Sequence, residues 1–85
     1  MKTFEYTIKD EVGIHARPAG LLVSKVKALG SSVTIEKGGK SASASKLFAV
    51  MGLGVVKGDT IKITVEGGDE DTAATELQAF FEANL

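Results

Sequence analysis

Cysteine is absent from this chain of 85 residues, which excludes disulfides and thiolate metal sites and suits the reducing conditions of a cytoplasm. Positive charge is in no surplus either. Ten Lys and Arg against 11 Asp and Glu leave a net charge of −1, too little to make nucleic acid a general partner. No apolar run approaches the roughly 20 residues that a membrane span requires. The opening MKTFEYTIKDE carries charges where a signal peptide needs an apolar core, so neither membrane insertion nor a leader is expected, and the protein is expected to be cytoplasmic. Repeats, linkers and low-complexity segments are missing, and residues 1–85 read as one domain. A domain this small buries only about 60–65% of its unfolded surface, so function is expected on a loop or an element end and not in a deep cleft. Histidine and proline occur once each. With one imidazole and no thiol, a zinc site would have to be built from carboxylates, and a Ser-His-Asp triad would lack a sheltered oxyanion hole. No metal and no cofactor are expected.

What is present is the composition of an ordinary globular protein, with 44% hydrophobic and 25% charged residues. Thr3 to Ile8 alternates, with Phe4, Tyr6 and Ile8 on one face, the period of a half-buried strand. Ala19, Leu22, Val23, Val26 and Leu29 then recur at helical spacing until Gly30. Val33 and Ile35 begin a hairpin that turns at Gly38-Gly39 and returns along Lys40 to Ala44. Lys46 to Met51 predicts a short helix ending at Gly52, and Ile61, Ile63 and Val65 mark the clearest strand. Asp69 is the expected N-cap of a last helix with the stripe Ala73, Leu77, Phe80, Phe81 and Asn84. The order βαββαβα predicts an α+β fold of two layers, one antiparallel sheet with helices on one side. Gly39-Lys40-Ser41 lacks the upstream glycine of a phosphate-binding loop, because Thr34 stands there inside a strand. Gly52-Leu53-Gly54 reads as a helix stop, and Asp69 to Asp71 as a helix start.

The single histidine and the single proline share the stretch GIHARPA, residues 13–19. If a helix starts near Ala16, Pro18 lies in its first turn, where a missing N–H costs nothing. The backbone N–H groups of Ala16 and Arg17 then lack intrahelical partners and are expected to face the His15 ring, at the positive end of the helix dipole. The Arg17 guanidinium adds a planar fork matched to phosphate oxygens. Together these predict a phosphoryl pocket around a nucleophilic imidazole, which a helix end and a neighbouring cation would keep neutral. The plainer reading of His15 is a solvated surface residue or cap.

GIHARPA resembles the phosphorylation-site signature of the HPr family, the histidine-containing phosphocarriers of the bacterial phosphoenolpyruvate-dependent sugar phosphotransferase system. GKSASASKLFAVMGLG, residues 39–54, resembles the regulatory region of the same family, and the element order matches along essentially the whole chain. The resemblance implies an open-faced sandwich with sheet order 1-4-2-3 under three helices, where the residue pattern alone leaves a ferredoxin-like order open. It implies a carrier, not an enzyme, that accepts a phosphoryl group from phospho-enzyme I on Nδ1 of His15, steadied by Arg17, and passes it to sugar-specific enzyme IIA proteins. A relay in a nitrogen-related or dihydroxyacetone-kinase circuit and a regulatory adaptor are the alternatives. Gly20, Leu21, Ser24 and Lys27 on the first helix, with Leu47, Phe48 and Met51 on the short one, resemble the docking surface of the family, with Lys25, Lys27, Lys40 and Lys46 as its rim. A monomer is expected. In Gram-positive members a serine at the start of the short helix is phosphorylated by HPr kinase/phosphorylase, which makes a signal for a catabolite regulator. Here Lys46 stands at that position, and Ser45, one place earlier, is the candidate phosphosite or a cap of the short helix.

Overall fold

A computed structural model describes residues 1–14 and 16–85. The elements follow the expected order: β1 (Lys2–Thr7), α1 (Ala16–Leu29), β2 (Ser32–Lys37), β3 (Lys40–Ser43), α2 (Leu47–Gly52), β4 (Thr60–Glu66) and α3 (Glu70–Asn84). The four strands form one antiparallel sheet in the order β1-β4-β2-β3, and the three helices lie on one face of it. The order 1-4-2-3 is therefore present, and the ferredoxin-like alternative is not.

Strand alternation divides the sheet into two chemically different faces. On the covered face Phe4, Ile63, Ile35 and Ala42 form one cross-strand row, and Val65 pairs with Val33 in another. Ile35, Ile61, Ile63 and Val65 are fully buried there. The open face carries the hydroxyl row Thr3, Thr64, Thr34 and Ser43 beside the charged row Glu5, Lys62 and Glu36. The hairpin between β2 and β3 turns at Gly38 and Gly39, with φ of +56° and +86°, the left-handed pair that a two-residue turn matching strand twist requires.

The helices bury the faces that their periodicity selects. α1 buries Pro18, Ala19, Leu22 and Val26. α3 buries Ala73, Ala74, Leu77 and Phe81. Phe81 stacks on Tyr6 at 5.4 Å and meets Phe4 edge-on at 6.3 Å, which fixes α3 across β1. Each fully buried Leu, Ile or Phe here contributes about 1.5–3 kcal/mol of transfer free energy. Asp69 caps α3 as its position predicts, accepting from the Thr72 N–H at 3.2 Å and the Thr72 hydroxyl at 2.8 Å. Asn84 departs from the expected stripe. It is exposed and its amide donates to the Phe80 carbonyl at 3.0 Å, while Ala74 takes a place on the buried face. β1 stops one residue short of Ile8, yet Ile8 continues the ladder by donating to the Asp59 carbonyl at 2.9 Å.

Candidate functional site

The chain enters α1 through a segment that is tied down at almost every residue. The Lys9 and Asp10 N–H groups donate to the Leu85 carbonyl at 2.6 and 2.8 Å, which anchors the segment to the end of α3. The Asp10 side chain then accepts from the N–H of Val12 at 2.9 Å and of Gly13 at 3.3 Å, an Asx turn that bends the chain back on itself. Gly13 follows with φ +82°, and a Cβ built on it would fall 2.2 Å from the Val55 carbonyl oxygen. Only glycine lets the two backbones come this close. One residue on, the Ile14 N–H donates to that same Val55 oxygen at 3.0 Å, and the Ile14 side chain is buried.

His15 itself, and with it the expected approach of the Ala16 and Arg17 amides to its ring, lies outside the described residues. Its neighbours on both sides are placed. α1 begins at Ala16, as expected, so the Ala16 and Arg17 amides belong to the first turn, whose N–H groups have no partner inside the helix. Pro18 is buried in that turn, where its missing N–H is not needed. Arg17 is exposed. A pocket of about 300 Å³ opens beside it, lined by Asp10, Arg17, Pro18, Leu21 and Asn84. Such an arrangement offers first-turn amides and a guanidinium to an anion at the amino end of α1.

The residues expected to dock partners lie along α1 and on α2, with Leu21 lining the same pocket as Arg17. Leu21 is 48% exposed on α1 and Phe48 is 84% exposed on α2, unusually bare for large apolar side chains. Ser24, Lys27 and Lys46 are exposed, Gly20, Leu47 and Met51 are half-buried, and Val50 is fully buried. α2 packs against α1, so both exposed groups belong to one helical layer. Lys25 leaves the expected rim: it faces α3 and pairs with Glu76 at 2.8 Å. Ser45 does not cap α2. The N-cap is Lys46, whose carbonyl accepts from the Val50 N–H at 3.0 Å, so Ser45 stands one residue too early, and its hydroxyl bonds that of Ser43 at 2.9 Å instead.

Sequence reasoning missed the anchors of the loop. The Asp10 to Gly13 spacing is a legible Asx-turn signal, whereas nothing local marks Val55 or Leu85 as its supports.

Residues 2–83 match the sequence model of a family described as PTS HPr component, phosphorylation site. The chain belongs to the HPr family. It is 41% identical over 77 residues to the phosphocarrier protein HPr of Lysinibacillus sphaericus, covering 91% of this chain and 88% of that protein. HPr-C-His from Thermoanaerobacter tengcongensis superposes with a TM-score of 0.92 at 36% identity, covering 98% of this chain and 93% of the other. An HPr dimer from the same organism superposes with a TM-score of 0.76 at 36% identity, over 98% and 95% of the two chains. Family membership makes this protein a phosphocarrier of the phosphotransferase system and not a catalyst in its own right.

Proposed function

We propose that this protein receives a phosphoryl group on Nδ1 of His15 from phospho-enzyme I and donates it to sugar-specific enzyme IIA proteins. One observation carries the reading: a family defined by its phosphorylation site matches residues 2–83, and that span contains a single histidine. In the first transfer the Nδ1 lone pair attacks phosphorus, the donor's P–N bond breaks, and its electron pair returns to the donor imidazole; in the second a nucleophile of enzyme IIA attacks phosphorus, the Nδ1–P bond breaks, and its electron pair returns to the His15 ring. The three charged oxygens need donors that are already in place, which the first-turn amides of Ala16 and Arg17 and the Arg17 guanidinium supply. Gly20, Leu21, Ser24, Lys27, Leu47, Phe48 and Met51 would form the docking face, an apolar patch with cations at its edge, suited to brief association with acidic partner surfaces.

In this reading residues 1–85 act as one domain, as a monomer in the cytoplasm; the dimeric T. tengcongensis relative makes sedimentation at working concentration the check on the monomer. Regulation at Ser45 would require a kinase to break the bond to Ser43, with Lys46 in the position of the regulatory serine. Incubation with HPr kinase/phosphorylase and ATP decides it: one phosphate on Ser45 supports the switch and the link to a catabolite regulator, and no incorporation removes both.

Mass spectrometry after incubation with phosphoenolpyruvate and a bacterial enzyme I tests the main reading. One acid-labile, base-stable phosphate is expected, absent from His15→Ala; an unlabelled wild-type protein overturns it.

A further inference from the structure

Lys37 closes β2 at a position where strand alternation turns its side chain to the covered face, since its neighbour Glu36 pairs with Lys62 on the open one. A lysine directed there must find acceptors or reach back to water. It finds two. Lys37 Nζ donates to the Gly54 carbonyl at 2.8 Å and pairs with Asp59 Oδ2 at 2.8 Å, and both side chains are about 30% exposed, at 30% and 28%. The same Asp59 oxygen accepts from the Val56 N–H at 2.9 Å, and the Asp59 N–H donates to the Val56 carbonyl at 3.0 Å. Both ends of the loop from Gly54 to Asp59 are thereby gripped by one ion pair.

That loop carries the Val55 carbonyl, which receives the Ile14 N–H and against which Gly13 has no room for a Cβ. Contact between the two segments is backbone to backbone, with no flexible side chain between them to absorb a displacement. A shift of Gly54–Val56 must therefore move Gly13–Ile14, the residues that deliver the chain to His15.

The geometry points to Lys37 and Asp59 as positioning residues for phosphoryl transfer, a brace that sets the His15 segment from behind through Val55; the inference rests on the phosphocarrier reading. The Asp59 carboxyl is held below its ordinary value first by the hydrogen bond from Lys37 and then by that from Val56, in keeping with an ion pair that persists at neutral pH. A partly exposed pair contributes little to global stability. Its effect should appear instead in the rate, because a displacement of about 1 Å at a reacting group can cost up to about a hundredfold.

The test uses the full-length protein as wild type, Lys37→Met, Asp59→Asn and Lys37→Arg, with two readouts: kcat and KM for phosphorylation by phospho-enzyme I, and hydrogen exchange of the Ile14 amide. Lys37→Met and Asp59→Asn are expected to lower kcat about tenfold with KM unchanged and to speed Ile14 exchange about tenfold. The Ile35 and Ile63 amides should keep their protection, and Lys37→Arg should stay close to wild type. If Lys37→Met loses core protection, Asp59→Asn carries the test alone. An unchanged kcat, or an unchanged Ile14 amide, in a variant with an intact core overturns the brace. If the wild-type protein accepts no phosphoryl group, the phosphocarrier reading fails, and Ile14 exchange still decides whether the brace holds the segment.

Discussion

The segment from Asp10 to Ile14, which leads into α1, and the outer face of α1 and α2 are built by opposite rules. In the first, Asp10, Gly13 and Ile14 are fixed by hydrogen bonds or backbone contact to parts of the chain remote in sequence. In the second, Phe48 and Leu21 stand in solvent with much of their apolar surface uncovered. The difference separates two requirements of a carrier. The proposed phosphoryl transfer needs atoms held within a fraction of an ångström, and the ties on Asp10, Gly13 and Ile14 suit that need. The proposed exchange of several partners through one surface would suit bare apolar side chains such as Leu21 and Phe48.

The same substitution on the two sides gives the widest contrast. Gly13→Ala puts a Cβ 2.2 Å from the Val55 oxygen at a φ of +82°, so it should destabilise by roughly 2–4 kcal/mol, read by urea unfolding. Gly20 has nothing within 4 Å of a built Cβ and sits inside α1, so Gly20→Ala should stabilise by about 0.5–1 kcal/mol. Equal effects at the two positions would erase the contrast. Phe48→Ala should next raise KM for phospho-enzyme I about tenfold while stability moves by less than about 0.5 kcal/mol; a loss of stability instead of affinity would make Phe48 a core residue.

Tyr6 sharpens the picture from the core side. Its hydroxyl is buried without a hydrogen-bond partner among the described residues, and burial, with a smaller contribution from Glu82, raises its pKa. Tyr6→Phe should therefore be neutral or stabilise by up to about 1 kcal/mol in thermal melts, and a clear loss would mean that the hydroxyl is satisfied. The smallest effect is that of pH. Asp59, Asp69 and Glu70 are held below their ordinary values of 3.8, 3.8 and 4.5, chiefly by bonds from Lys37, Thr72 and the N-terminal amine respectively. Depressed carboxyl values mean that the folded state binds fewer protons than the unfolded one, so their contribution is complete above the ordinary values and disappears as pH falls through the folded ones. Tm should stay level from neutral to mildly acid pH and decline below about pH 4. A level Tm throughout the acid range would contradict the shifts.

Most of the fold was legible because its signals are local. Period-two alternation located β1, β2 and β4, a 3.6-residue stripe located α1, and Gly38-Gly39 and Asp69 acted where they stand. The strand order was not local: alternation tells which residues face the core, and the order came from likeness to a family. Of the site, the start of α1 at Ala16 could be read from spacing, whereas Leu21 and Phe48, now seen to be exposed, were singled out by likeness to the family. The supports of Gly13 and Ile14 could not, since Val55 and Leu85 meet them only after the chain has folded. Nothing local marks Lys37, whose two acceptors, the Gly54 carbonyl and the Asp59 carboxylate, reach it only in the folded chain. At Ser45 spacing misled by one residue, because the Lys46 carbonyl, not a serine hydroxyl, opens α2.

Long-range proton–nitrogen NMR of the single imidazole, recorded before and after phosphoenolpyruvate and enzyme I are added, tests most directly whether His15 at the amino end of α1 is the phosphoryl carrier. The phosphorylated protein should show the group on Nδ1, with Nε2 remote from phosphorus. A ring spectrum that does not change, or a phosphoryl group on Nε2, would contradict the account.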